Sequence, residues 1–131
     1  MSDANPSHDV VDHLRAQHHQ ISEVLAQLRS APSIARGELF EQLVSFLAVH
    51  EQAERQVVAP YLDWQVPLVP GWRPMLAELA RGGIADPGFR PRLEALCGTF
   101  AEHTAYVERE EFARLRRTVP GDLLRRLAEQ L

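Results

Sequence analysis

Apolar residues recur three or four positions apart along almost the whole chain, which is the spacing of one face of a helix. These stripes predict long helices over residues 10–28 and 34–62, a shorter helix over 72–81 and a last long helix that ends near residue 118. A short amphipathic helix over residues 122–131 follows. No stretch alternates apolar and polar residues in the manner of a β-strand.

Residues that cap or end helices lie between these stripes. Ser7 is predicted to cap the first helix. Asp86 is predicted to cap the last long helix, with Pro87 at its first position, although Pro91 also allows a later start. The pair Gly82-Gly83 is a signal for the end of the third helix.

Four main helices joined by short or medium connections predict an all-α fold, an up-down-up-down four-helix bundle with a short C-terminal helix. The 131 residues suffice for a single domain. Within it we expect a flexible N-terminus over residues 1–7, the bundle over 8–118 and the C-terminal helix over 119–131. Prolines and a glycine predict a loop over residues 63–71.

Composition narrows the classes of function. The net charge is −4 with acidic and basic residues interspersed, so no basic stripe is available for nucleic acid. The chain lacks an apolar run long enough to cross a bilayer and a secretory signal, so we expect a cytoplasmic protein with no membrane partner. Cys97 is the only cysteine, which excludes an internal disulfide. All 14 basic residues are arginine, a bias that we attribute to a GC-rich bacterial genome.

Three of the six histidines lie on the apolar stripes of three different long helices: His18, His50 and His103. A single inward histidine is most often a hydrogen-bonded core residue. Three inward histidines, each near the middle of its helix, would meet in one layer of an antiparallel bundle. We therefore predict that their imidazoles converge on one pocket.

A carboxylate accompanies the second of these histidines. Glu54 lies four residues after His50, so both side chains face the same side of a helix, about 6 Å apart along its axis. A carboxylate on an apolar stripe needs a metal ion, an arginine or a proton. The two side chains can hold one metal ion, or Glu54 can bridge two. A structural Glu–Arg pair inside the bundle is the alternative.

Two oxygen donors lie close to His103 in the sequence. Glu108 follows it by five residues, about 140° away on an ideal helix. A π-helical turn would bring both to one face, and such turns are frequent at functional sites. Tyr106 is a second candidate donor, although a tyrosine at such a position is more often an ordinary residue of an amphipathic helix. Val107, four residues after His103, cannot bind a metal.

Together these motifs resemble the hemerythrin-like, HHE cation-binding domain family. The resemblance covers residues 8–118 and is carried by residues 9–18, 50–60 and 103–115. It implies a four-helix bundle that binds a non-haem di-iron centre. The residues that match the family's metal ligands are His18, His50, Glu54, His103 and Glu108. Glu54 and Glu108 match the carboxylates that bridge the two metal ions.

The third helix departs from the family pattern. Relatives normally supply one or two histidines, or an acid, from this helix to the second iron, whereas no histidine lies between residues 51 and 102 here. Val107 also stands where bacterial members usually have the bridging acid. We therefore predict that the second metal position is weak or empty. The first position keeps two imidazoles and a carboxylate, which suit iron and also zinc or manganese.

Three functions are compatible with this pattern. We favour a non-haem iron protein that binds or senses O₂, NO or peroxide at a reduced di-iron site. The second is a metal-free bundle that serves as an interaction module, which the missing third-helix ligands favour. The third is an enzyme that removes peroxide at non-haem iron, although no substrate pocket or general acid supports it. Nothing in the sequence identifies a protein partner.

Overall fold

The computed structural model describes residues 8–62 and 71–131, and every regular element within these ranges is a helix. The helices are α1 (Val10–Ser30), α2 (Ser33–Ala53), α3 (Trp72–Gly82), α4 (Phe89–Tyr106), α5 (Phe112–Thr118) and α6 (Gly121–Ala128). The all-α prediction is therefore confirmed. The expected flexible N-terminus at residues 1–7, and residues 63–70 of the expected loop, lie outside the described residues. No helix in the described ranges is long and apolar enough to cross a lipid bilayer.

Two π-helical turns extend the long helices without a break. The first π-turn (Glu54–Val58) follows α2 and leads into a 3₁₀ turn (Ala59–Tyr61). The second π-turn (Val107–Glu111) joins α4 to α5. In each π-turn an N–H bonds to the carbonyl five residues earlier, so one residue more than usual completes the turn. The second and the last long helix are therefore each continuous, as the apolar stripes predicted.

Two hydrophobic clusters form the core. The lower cluster includes Val10, Leu14, Val57, Phe112, Leu115 and Leu124. The upper cluster includes Ile21, Leu25, Leu43, Leu79, Leu93 and Phe100. The start of α1 thus meets the first π-turn and α5, and the end of α1 meets the beginnings of α2 and α4. These helices therefore run antiparallel, which is the bundle arrangement predicted from the short connections.

α1 begins at Val10 as predicted, but its capping residue differs from the prediction. Its cap is Asp9, whereas Ser7 lies outside the described residues. The Asp9 carboxylate accepts the N–H of Asp12 at 3.0 Å, and the Asp12 carboxylate accepts the N–H of Asp9 at 3.1 Å. Arg116 of α5 donates to both carboxylates at 3.0 Å. This network fixes the start of α1 to the end of the last long helix.

The start of α4 also differs from the prediction. Asp86 and Pro87 precede the helix in a turn, in which the N–H of Phe89 donates to the Asp86 carbonyl at 2.9 Å. The Asp86 carboxylate binds Arg92 at 2.6 Å instead of capping the helix. The later start that Pro91 allows is the observed one. Pro91 lies in the first turn, where a missing N–H removes no helical hydrogen bond.

The other helix ends lie close to the predicted ones. α3 ends at the glycine pair, and Gly83 has a φ of 84°, a conformation that residues with a side chain rarely adopt. The C-terminal helix begins at Gly121 and ends at Ala128, slightly earlier than predicted.

Candidate metal centre

A polar layer separates the two hydrophobic clusters. The apolar stripe is interrupted in α1 by His18, in α2 by His50 and in α4 by His103. His18 and His50 are only 3% and 1% exposed, and His103 is half-buried. The antiparallel packing of the three helices places these mid-helix residues at a similar level of the bundle.

A compact cluster of donor atoms lies in this layer. His18 Nε2 is 3.1 Å from His50 Nε2, and His50 Nε2 is 3.3 Å from a carboxylate oxygen of Glu54. One donor atom from each of these three residues lies within 4.8 Å of the other two. The N–H of Glu54 still bonds to the carbonyl of His50, which keeps both side chains on one helix face. The π-turn begins only at Glu54, so it does not disturb this pair.

Both buried imidazoles are fixed by a hydrogen bond from the other ring nitrogen. His50 Nδ1 donates to Gln17 Oε1 at 2.7 Å, and His18 Nδ1 donates to the Glu108 carboxylate at 2.9 Å. An amide oxygen and a carboxylate can only accept, so both Nδ1 atoms carry the proton. In the neutral rings, the two Nε2 atoms therefore carry lone pairs that face each other.

When both rings are neutral, three electron-rich groups thus converge without a proton between them. Two facing lone pairs and a carboxylate repel one another unless a cation lies among them. Two imidazole nitrogens and one carboxylate are a donor set that suits Fe²⁺, and also Zn²⁺ or Mn²⁺. His18, His50 and Glu54 can therefore hold a metal ion, and three protein ligands leave coordination positions for other molecules.

The surroundings of His18 keep its ring neutral. Burial lowers the pKa of His18 to about 4, and the charge of His50 adds to this effect, while Glu108 and Glu54 oppose it. Phe112 stacks on the imidazole with the ring centroids 5.6 Å apart, and Phe100 meets it edge-on at 6.2 Å. A histidine must be neutral to bind a metal, so this environment suits a ligand.

Glu54 is the anionic member of the cluster. Burial alone raises the pKa of this carboxyl, but when the imidazoles are protonated the hydrogen bond and charge of His50 outweigh burial, with help from the charges of His103 and His18. The net result is a pKa below the usual range. Glu54 is therefore ionised near neutral pH, the form that binds a cation.

His103 lies at the edge of the cluster. Burial lowers its pKa and the charge of Glu54 opposes this, so the two groups are within electrostatic reach of each other. Its ring centroid is 6.4 Å from that of Phe100. Tyr106, the second candidate on this helix, is 40% exposed, and the structure does not place it in the polar layer.

A π-turn, which the sequence left open as a way to bring Glu108 to the face of His103, is present after His103 and begins at Val107. Val107 is buried in the lower cluster. The turn directs Glu108 toward α1, where one carboxylate oxygen contacts His18 Nδ1 and the other lies 3.7 Å from Arg15 Nε. Glu108 thus contacts the His18 ring at Nδ1 and not at Nε2, the atom that faces His50. Its role as a direct metal ligand stays a prediction.

Two residues of this site were absent from the predicted ligand set. Gln17 shows no inward signal in the sequence, because its contact with His50 depends on how α1 and α2 face each other. Glu111 continues the inward stripe of α4 in steps of four residues, and this signal was available. Burial and the charge of Glu54 raise the pKa of Glu111 to about 7, which places it near the same cluster.

The third helix contributes apolar side chains to the upper cluster: Trp72, Met75, Leu76 and Leu79. Its one acidic residue, Glu78, is exposed. The described residues of α3 therefore add no donor to the polar layer.

Comparison with models of protein families matches residues 9–131 to the hemerythrin HHE cation binding domain. The match spans nearly the whole chain and includes every residue of the cluster. Searches of curated proteins and of solved structures return no significant match.

Proposed function

Because the chain belongs to the hemerythrin HHE cation-binding domain family, we propose that it binds a non-haem iron ion in the polar layer. His18, His50 and Glu54 hold the ion, and zinc or manganese can occupy the same donors. We propose that the protein acts in the cytoplasm and that its function there is to bind or sense O₂, NO or peroxide.

The orientation of the three donors carries this proposal. Both Nδ1 atoms donate outward, to Gln17 and to Glu108, so both Nε2 lone pairs face inward beside the Glu54 carboxylate. In a purely structural pair of neutral histidines, one ring donates and the other accepts. Here the facing Nε2 atoms of both neutral rings are acceptors. A metal ion can bind both Nε2 atoms and the Glu54 carboxylate at once.

Other residues of the chain prepare these donors. Gln17 and Glu108 hold the two rings in the tautomer that binds a metal through Nε2. Glu108 is an anionic acceptor and therefore makes His18 the more electron-rich ligand. Phe100 and Phe112 flank the His18 ring and limit the access of water. Bound iron would supply open coordination positions and redox chemistry for a small ligand.

We propose one ion rather than two. A second position would depend on His103 and on the acids of the second π-turn, but Glu108 is engaged with His18. The described part of α3 turns apolar side chains inward. Reversible oxygen carriage takes two electrons from two irons, so a single ion favours sensing over carriage.

A metal-free bundle that acts as an interaction module is the second candidate. The apolar inner face of α3 favours it, because the family's usual ligands from this helix have no counterpart among its described residues. The two candidates differ in whether the purified protein holds iron.

The test is the response of iron-loaded protein to small ligands. Its absorption spectrum should change when NO, O₂ or peroxide is added, and His50→Ala should abolish both iron retention and this change. His19→Ala is the matched control, because His19 is the exposed neighbour of His18 and should leave both unchanged. Protein that holds iron but responds to none of the three ligands would contradict the sensing role. Protein that holds no iron after growth in iron-supplemented medium would favour the metal-free module.

A further inference from the structure

Arg15, about one turn before His18 on α1, contacts two of the residues that hold the His18 ring. Its Nε lies 3.7 Å from one carboxylate oxygen of Glu108, whose other oxygen accepts the His18 Nδ1 proton at 2.9 Å. Its guanidinium lies 5.7 Å from the ring centroid of Phe112, which stacks on His18. Arg15 is therefore linked to the His18 imidazole through two separate neighbours.

The neutral His18 imidazole has two places for its proton. On Nδ1 the proton is donated to Glu108, and on Nε2 it would be donated to the lone pair of His50 Nε2, which is 3.1 Å away. His50 keeps its own proton on Nδ1, which donates to Gln17 Oε1 at 2.7 Å. Only the first form of His18 leaves its Nε2 lone pair free for a metal ion.

The Glu108 carboxylate selects the first form only while it stays beside the ring. A carboxylate held 2.9 Å from Nδ1 stabilises a proton there and would repel a lone pair. The Glu108 side chain is 33% exposed, so water competes with His18 for its oxygens. Arg15 lies within ion-pair distance of the oxygen that His18 does not use, and it can hold the carboxylate in place from that side.

We infer that Arg15 is a positioning residue of the metal centre, which anchors Glu108 so that the His18 proton stays on Nδ1 and the Nε2 lone pair stays free for the ion. The inference rests on the proposed metal site, because it is the bound ion that uses this lone pair. One partly exposed ion pair changes an equilibrium constant about two- to fivefold. An ion that binds only the Nδ1-protonated form loses affinity by no more than this factor when Arg15 is removed.

Nitrogen NMR of the metal-free protein tests the inference. In Arg15→Met, the ¹⁵N shifts of the His18 ring should report a ratio of Nδ1–H to Nε2–H forms about two- to fivefold below that of the wild type. Methionine removes the charge and keeps an apolar side chain beside Phe112. Arg29→Met is the matched control, because Arg29 also lies on α1 and pairs with an acid of α4, Glu94, at 3.0 Å, about 20 Å further along the helix. It should leave the His18 shifts unchanged, and circular dichroism should show equal helix content in all three proteins.

A double-mutant cycle tests whether Arg15 acts through Glu108. Arg15→Met alone should lower the affinity for Co²⁺ by up to about fivefold. In a Glu108→Ala chain the same substitution should change neither the His18 shifts nor the affinity any further, because the carboxylate that it anchors is gone.

Three results would overturn the inference: unchanged His18 shifts in Arg15→Met, an equal change in Arg29→Met, or the same effect of Arg15→Met with and without Glu108. A chain that binds no Co²⁺ would contradict the proposed function itself. The shifts are measured without metal, so they would still report the effect of Arg15 on His18.

Discussion

The two sides of the candidate centre differ in how firmly the fold holds their donors. On the side of α1 and α2, His18 and His50 are almost fully buried, and each is fixed through Nδ1. On the side of α4, His103 is half-buried, and no hydrogen bond to another described residue fixes its ring. A ligand that is already oriented loses less freedom on binding, so we expect the first side to hold the ion.

The difference follows from which residue stands at the start of each π-turn, four places after the histidine. The first starts at Glu54, so the α-helical turn from His50 to Glu54 is complete and pairs a histidine with an acid. The second starts at Val107, so a buried valine takes the equivalent place four residues after His103. The same helical turn therefore pairs a histidine with an acid on one helix and with a valine on the other.

The largest predicted effect separates Glu54 and Glu108, the acids at the starts of the two π-turns. Glu54→Ala removes the anionic ligand and should weaken metal binding by more than about 100-fold, whereas Glu108→Ala removes a partner of His18 and should cost about 10- to 100-fold. A competition titration with Fe²⁺ or Co²⁺ measures both. Equal losses would contradict the ranking and favour a pair of bridging carboxylates.

The next prediction concerns the amide that orients His50. Gln17→Leu removes the acceptor of the Nδ1 proton and should weaken metal binding about tenfold. Gln20→Leu is the control, because Gln20 lies about one turn further along α1 and is exposed. In the metal-free protein, ¹⁵N shifts of the His50 ring should report a change of tautomer in the first variant alone. Unchanged shifts in both variants would show that Gln17 does not set the tautomer.

The comparison of the two sides predicts that His103, on the side of α4, has only a small effect on metal affinity. His103→Ala should weaken binding of the first ion by less than about tenfold, because His103 lies outside the compact cluster. The same titration measures it. A loss as large as that of Glu54→Ala would show that both sides hold the same ion and would remove the difference between them.

The smallest prediction concerns the anchoring of α1. The hydrogen bonds of Asp12 with Asp9 and Arg116 outweigh the effect of burial and lower the pKa of Asp12. A carboxyl with a lowered folded-state pKa contributes stability above about pH 4 and loses it as the pH falls through the lowered value. Arg116→Met should reduce the free energy of unfolding by about 1 kcal/mol at pH 7.

The control for this variant is Arg117→Met, an exposed arginine on the same helix, and denaturant unfolding measures both. The difference between Arg116→Met and the wild type should shrink in acid, when Asp12 is protonated in both proteins. A difference that stays constant down to about pH 2 would mean that the charge of Asp12 plays no part in it.

Helical spacing predicted much of the fold because four apolar stripes leave few ways to pack. The caps of α1 and α4 were missed because capping depends on competition between partners. Asp86 precedes the helix and its carboxylate binds Arg92, and Asp9 forms a reciprocal pair with Asp12. These contacts are decided by side-chain geometry, which the apolar pattern does not contain.

The same limit applies to the candidate site. His18, His50 and Glu54 could be placed together because each lies on an inward stripe. The partner of His50 could not be found, because the Gln17 contact requires the rotation of one helix against another. The position of Glu108 depends on the residue at which the π-turn begins, and the sequence indicated only that a π-turn would matter.

The number and position of metal ions per chain test the central claim most directly. Protein from iron-supplemented cells would be analysed for metal content, and a crystal would be measured for anomalous scattering at the iron edge. We predict one ion per chain, about 2.0–2.2 Å from Nε2 of His18, Nε2 of His50 and an oxygen of Glu54. Two fully occupied irons bridged by Glu54 and Glu108, or no ion at all, would contradict it.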